Sequence, residues 1–248
     1  MMKPYSLFLL LIACTFIGCS TQADPTPSGY GSVQFACTTS EEVLSRAATT
    51  VTVPVAGDFA LTITNGSDYT QTWAHFTDFV PSAHKLKEGN YTASITWGDS
   101  ALEGINKPFY TGTTPFIIES DKTASAAITA KLGNAQVRIL CTAAFKGYFH
   151  DTAFTLTTAA GNNFSYTDQT EDALFVRANA AFDLTGTAIK QNGVPFTLPT
   201  QHVAAAKPQT RYTYTFDVST VGSATVSIYL DDTLIEEIVI NEELNPAA

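Results

Sequence analysis

The sequence predicts an all-β protein of two tandem β-sandwich domains. Three observations predict it. Apolar side chains recur at every second position along most of the chain, the spacing that lines one face of a half-buried strand. Clusters of Gly, Asn, Asp and Pro interrupt that alternation roughly every ten residues, as turns between short strands do. The foldable stretch, about 220 residues, exceeds the ~100 that a seven-stranded sandwich uses, so a single sandwich does not hold it.

The first strand runs from Ser32 to Thr38, with Val33, Phe35 and Cys37 on one face. Ser40 to Arg46 reads as a short helix, and alternation resumes at Val51, Val53 and Val55. Phe59 to Ile63 ends at Asn65-Gly66, a strong hairpin-turn signal. Lys87-Glu88-Gly89-Asn90 turns the chain into Tyr91–Trp97, where Tyr91, Ala93, Ile95 and Trp97 share a face. Thr123 to Leu132 places Ala124, Ala126, Ile128, Ala130 and Leu132 together. Gly133-Asn134 then breaks the chain, which sets the expected domains at 31–133 and 134–244.

The pattern restarts with Val137, Ile139 and Cys141, then a short helical stretch at Phe145–His150, then Phe154, Leu156 and Thr158. Ala173 to Phe182 reads as a strand pair or one long bent strand. Tyr212, Tyr214, Phe216 and Val218 alternate, and Ala224–Leu230 and Thr233–Ile240 flank Asp231-Asp232 as a closing hairpin. Both halves open with a strand that carries a cysteine on its inner face. Cys37 and Cys141 read as small buried hydrophobes of separate cores rather than as a bonded pair.

The ends carry an address. Met1-Met2-Lys3 is followed by an apolar run from Leu7 to Ile17, then Gly18-Cys19 and a polar stretch. A charged start, a short apolar core and a small residue before the cut make a secretory signal over residues 1–18. The run is too short for a permanent bilayer span. Residues 19–30 are rich in Ser, Thr, Pro and Gly, a flexible tether. Phe16-Ile17-Gly18-Cys19 resembles a bacterial lipobox, which makes Cys19 the expected lipidation site. Leu11-Ile12-Ala13-Cys14 also fits, but it would leave Thr15-Phe16-Ile17-Gly18 at the mature terminus, whereas Cys19 opens directly into the tether. Each buried acyl methylene contributes about 0.8 kcal/mol, so two or three chains anchor stably. The expected location is the outer membrane, lipid-anchored and surface-exposed. Cys19→Ala is expected to yield a protein that no longer partitions with membranes. Metabolic acyl labelling checks this, and label surviving in that variant moves the site to Cys14.

The formal charge is −10 over 248 residues, and loss of Lys3 with the signal takes it to −11. An acidic surface disfavours nucleic acid and anionic membranes as partners. His75, His84, His150 and His202 are not at ligand spacing, and no metal or other cofactor is expected. There is no Gly-x-Ser-x-Gly elbow and no phosphate-binding glycine loop. The carboxylate pairs Glu41-Glu42, Asp231-Asp232, Glu236-Glu237 and Glu242-Glu243 fall in a loop, a turn and a terminal strand. They do not face each other across a cleft as glycosidase carboxylates must. No enzyme activity is expected. Trp73 has two readings. Tyr69, Gln71, Trp73 and His75 form one face of its stretch, and Thr70, Thr72, Ala74 and Phe76 the other. If Phe76 faces the core, Trp73 stands among polar side chains as a sugar-stacking platform. If Trp73 faces in, it is core.

Several segments occur together in a recognisable order: the lipobox, Gly29-Tyr30-Gly31-Ser32-Val33-Gln34-Phe35, Ser45-Arg46-Ala47, Leu86-Lys87-Glu88-Gly89-Asn90-Tyr91-Thr92-Ala93, Trp97-Gly98-Asp99 and Lys107-Pro108-Phe109-Tyr110-Thr111-Gly112. In that order they resemble the Bacteroidales surface lipoproteins grouped as a domain of unknown function, number 4493. The resemblance covers nearly the whole mature chain. It implies two sandwiches of transthyretin/immunoglobulin-like kind, distant kinship with fimbrillin-type pilus subunits, and no catalytic residues to carry over. It implies a structural or adhesive role, with other surface or pilus subunits or glycans as partners; the alternative is a carbohydrate-binding surface lipoprotein. By the same kinship Arg46, in the loop after the first strand, is a candidate processing site. The segment Asn241–Ala248 is short and acidic, a poor donor strand, which points to an anchor, tip or non-fimbrial role rather than a shaft subunit. Asp99-Ser100-Ala101, Asp151-Thr152-Ala153 and Asp232-Thr233-Leu234 resemble the O-glycosylation signal of the same bacteria. They make Ser100, Thr152 and Thr233 candidate acceptors, each at an expected turn.

Overall fold

Among the described residues, seventeen strands, one short α-helix and two 3-10 turns make up the fold. A computed structural model describes residues 29–39, 54–170, 172, 174–218, 224–230 and 233–240. Cys19, Arg46 and the expected helix at Ser40–Arg46 lie outside them. The first half contains β1 (Tyr30–Thr39), β2 (Ala60–Thr64), β3 (Thr70–Trp73), β4 (Leu86–Lys87), β5 (Gly89–Trp97), β6 (Gly104–Ile105), β7 (Tyr110–Ile118) and β8 (Thr123–Leu132). The second contains β9 (Ala135–Cys141), α1 (Ala143–Tyr148), β10 (Phe149–Thr158), β11 (Asn163–Thr167), β12 (Leu174–Val176), β13 (Phe182–Lys190), β14 (Pro195–Val203), β15 (Arg211–Val218), β16 (Ala224–Leu230) and β17 (Thr233–Ile240).

In the first half one seven-stranded sheet, ordered β3-β2-β5-β7-β8-β1-β4, curls on itself. The corner lies between β7 and β8, which pair only at Tyr110–Leu132 and Thr111–Lys131. Beyond it β7 stays with β5 for nine pairs and β8 with β1 for eight, so the sheet forms two facing layers. Gly112 sits where those backbones pass. A Cβ there would stand 2.3 Å from the Thr129 carbonyl oxygen, so any other residue pushes the layers apart. The inner faces carry the expected alternation: Leu61, Ile63, Ala93 and Ile95 oppose Val33, Ile128 and Ala130, all buried.

The second half packs a four-stranded antiparallel sheet, β11-β10-β13-β14, on a six-stranded one, β17-β16-β15-β9-β12-β6. Phe154, Leu156, Phe182, Leu184, Tyr214 and Phe216 fill the space between. The short helix starts at an N-cap, Thr142, whose hydroxyl accepts the Phe145 N–H. Each half opens with a strand paired in parallel to a late strand, β1 with β8 and β9 with β15.

Two expectations change. Ala173–Phe182 is neither a hairpin nor one bent strand. β12 sits between β9 and β6 in one sheet, the backbone reverses through Asn179 at φ 59°, and β13 begins in the other sheet. Strands β4, β6, β7, β11, β13 and β14 are not among those expected; two of them are only two residues long. Contacts also cross from one half to the other. β6, from the first half, pairs with β12 of the second, and Phe175 of β12 is buried in the first half's core.

Candidate functional site

Trp73 closes β3 and is 8 % exposed. Strict alternation would put it opposite Phe76, but the strand ends at Trp73 and a single 3-10 turn, Phe76–Asp78, follows. Asp78 holds that turn by accepting the His75 N–H. The turn swings Phe76 back, so Trp73 and Phe76 both pack on the same core. The indole stands edge-on to Phe79 and to His84, each with centroids 5.0 Å away. Of the two readings of Trp73 the structure takes the core one and corrects the sugar platform: stacking needs one open ring face, and this buried ring offers none.

Ser100 is exposed in the turn that Asp99 organises by accepting the Ala101 N–H. Thr152 is not at a turn. It lies inside β10, 5 % exposed, beside a bulge between His150 and Ala153 where Asp151 takes φ 50°. A buried hydroxyl is closed to a glycosyltransferase, so the expectation for Thr152 is also corrected. The sequence shows Asp151 as a turn residue, and the bulge uses its positive φ without ending the strand. Thr233 is the first residue of β17.

Both Cys37 and Cys141 are free and half-buried, each against its own half's core. Burial pushes the Cys37 thiol up and takes Cys141 to about 12, with Asp168 adding to the latter. Both shifts disfavour the thiolate that a nucleophilic cysteine needs. His150 meets Asp151 at 3.0 Å and His202 meets Asp183 at 2.6 Å, both on the surface. Among the described residues no group of three His, Cys, Asp or Glu could hold a metal ion.

Two features that strand periodicity does not mark stand out. The first is Glu103, in the loop between β5 and β6, whose side chain is 1 % exposed. Its carboxylate accepts Thr158 Oγ1 at 2.6 Å, Asn162 Nδ2 at 2.8 Å, the Arg177 N–H at 3.1 Å and Arg177 Nε at 3.3 Å. All four donors belong to the second half. Burial alone would raise its pKa, but the Thr158, Arg177 backbone and Asn162 hydrogen bonds and the Arg177 charge together hold it below the usual carboxylate range.

The second is a pair of hollows where the chain enters β1. Three segments meet there: the β2–β3 loop, the tight β4–β5 turn and the end of β7. The first hollow, about 540 Å³, is walled by Tyr30, Asp68, Tyr69, Lys85 and Tyr91. The second, about 520 Å³, lies between Gly66, Thr92, Pro115 and Ile117. They share Asn65, Asn90 and Tyr91, so they meet over the start of β5. The floor is set by local bonds. Asn65 Oδ1 accepts the Ser67 and Tyr69 N–H groups, and its amide donates to Asp68 Oδ1 at 2.7 Å. The Tyr91 hydroxyl donates to the Lys87 carbonyl at 3.0 Å, and its ring meets Tyr69 edge-on at 5.8 Å. Hydrogen bonds from Asn65 and Ser67 keep the Asp68 carboxyl below its ordinary range.

The family described as Domain of unknown function (DUF4493) matches residues 29–246. The chain belongs to that family. Nothing among curated proteins matches the sequence. Solved structures that resemble this DUF4493 chain include the fimbrial anchor protein Mfa2 from Porphyromonas gingivalis, at 9 % identity and TM-score 0.45, covering 84 % of this chain and 100 % of that one. A "putative cell adhesion protein" from Bacteroides uniformis is 12 % identical with TM-score 0.43, covering 83 % and 97 %. Another so named, from Bacteroides eggerthii, is 8 % identical with TM-score 0.45, covering 86 % and 98 %.

Proposed function

We propose that this protein is a non-enzymatic surface lipoprotein, anchored through Cys19, with a structural or adhesive role akin to that of a fimbrial subunit. Its two cores support residues 31–133 and 134–244 as the domains, joined by β6 and Glu103. The observation that carries the reading is the placement of β1. It pairs with β8 from Ser32 to Thr39 but with β4 only at Tyr30 and Gly31, so among the described residues most of its other edge has no strand beside it. It is thus a nearly terminal strand on which the core nevertheless depends. Val33 is fully buried, and the Phe35 ring lies 5.3 to 6.4 Å from Phe79, Phe116 and Phe76. Removing β1 after a cut at Arg46 would expose that aromatic pocket and unpair eight positions of β8. A strand from another subunit satisfies both.

Mild trypsin on the purified protein, followed by native mass spectrometry, tests the assembly step. The expected result is a released 19–46 fragment together with higher oligomers. An Arg46 bond that resists cleavage, or a cut that releases nothing and leaves a monomer, removes strand exchange from the reading.

A further inference from the structure

The geometry points to the paired hollows at the β1 end of the first half as a binding site for a neutral oligosaccharide. The inference rests on the adhesive reading above and gives that role a ligand. The walls and the floor of the hollows differ in kind. Tyr69, Tyr91 and Asn65 are tied down by their own hydrogen bonds and ring contacts. Tyr30 and Ile117 stand out of the surface at 58 % and 61 % exposure. Large apolar groups so exposed at the rim of a cavity mark recognition surfaces. Tyr30 is free to serve as one because its backbone does the structural work. It pairs with Lys87, its carbonyl accepts the Asp121 N–H at 3.0 Å, and the ring takes no part in either.

Charge, shape and backbone each narrow the ligand. The first hollow carries Asp68 and Glu88 against Lys85 and Lys87, a balance of zero, so it selects neither a phosphate nor a polycation. Both hollows are open, which does not suit a small apolar molecule that gains only by enclosure. The strand edge that borders them is the two-residue β4, Leu86–Lys87, too short to offer an extended peptide a ladder of backbone groups. What remains is a ligand with one apolar face and many uncharged hydroxyls. A pyranose ring lays its C–H face on an aromatic ring, here Tyr30, and a second unit lies on Pro115 and Ile117. Partners for the hydroxyls line the same hollows. Asn90 is paired in register with Ile117 and exposed, and Asp68 receives both its side-chain bonds through Oδ1, leaving Oδ2 to accept.

The experiment uses the purified full chain against immobilised neutral tetrasaccharides: β-glucan, α-glucan, xylan-derived and N-acetylglucosamine-based. Tyr30→Ala and Asn90→Ala are run beside it, with melting curves to show that both fold. The expected result is saturable binding of at least one probe, weakened about tenfold by each substitution. No binding to any probe, binding that survives both substitutions, or binding only of unstructured peptides overturns the site. Beads carrying the protein, tested for attachment to mucin-coated glass, separate the two readings. Attachment without glycan binding sinks this site and leaves the adhesive role standing; glycan binding without attachment does the reverse.

Discussion

Glu103→Ala is expected to lower the unfolding free energy by about 3 kcal/mol, the cost of breaking a buried charged hydrogen-bond set by deleting one partner. The loss arises on the other side of the junction. Without the carboxylate, Thr158, Asn162 and both Arg177 donors lose their acceptor, and Thr158 is only 4 % exposed. For a chain of this size that corresponds to a melting temperature lower by roughly 6 to 12 °C. The bond set joins two halves with separate cores, so the variant is also expected to melt less cooperatively, with the halves' transitions pulling apart.

The same group predicts a pH dependence. Its folded pKa lies below the unfolded value, so its contribution is fully present above about pH 4.3 and is lost as pH falls through the folded value. Wild type should therefore converge on Glu103→Gln in stability as the solution is acidified. Melts of both proteins from pH 7 to pH 3 check this, and a constant gap across the range would show that the carboxylate charge contributes nothing.

Trp73→Ala should cost about 3–5 kcal/mol, the range for deleting a large aromatic side chain from a packed core. The indole meets Phe79 and His84 edge-on and pairs across the sheet with Leu61, so truncation opens a cavity in the first half. Trp73→Phe should recover most of the loss. Calorimetry on the two variants decides it. The result would be wrong in kind, not just in size, if Trp73→Ala kept the wild-type melting temperature and lost only ligand binding, because that is how an exposed platform behaves.

Trp73 shows where reading along the chain stops working. Period two holds within β5 and β8, and there every expected inner residue from Tyr91 to Ile95 and from Ala126 to Leu132 is buried. It fails where a strand ends, because the face of the next residue then depends on the turn that follows. A single 3-10 turn put Phe76 on Trp73's side, and one bulge at Asp151 kept Thr152 inside a strand instead of on a turn. Both are choices of one or two backbone dihedrals, which nearby residue types bias but do not dictate.

The sequence by itself determined the all-β class, the inner faces of the long strands, the Asn65-Gly66 turn and the separation of Cys37 from Cys141. Each follows from local chemistry: side chains two apart share a face, Gly66 takes φ 77° without strain, and an apolar strand carries its cysteine into its own core. The family resemblance was legible too, because it rests on ordered short motifs. Only the tertiary structure decided what joins distant parts of the chain. Glu103 looks like any loop carboxylate until Thr158, Asn162 and Arg177, 55 to 74 positions away, close around it. Tyr30, Asn65, Asn90 and Ile117 become one surface only when the sheet curls at the β7–β8 corner. Such contacts have no period in the sequence, since the packing of whole layers sets them rather than the conformation of any one segment.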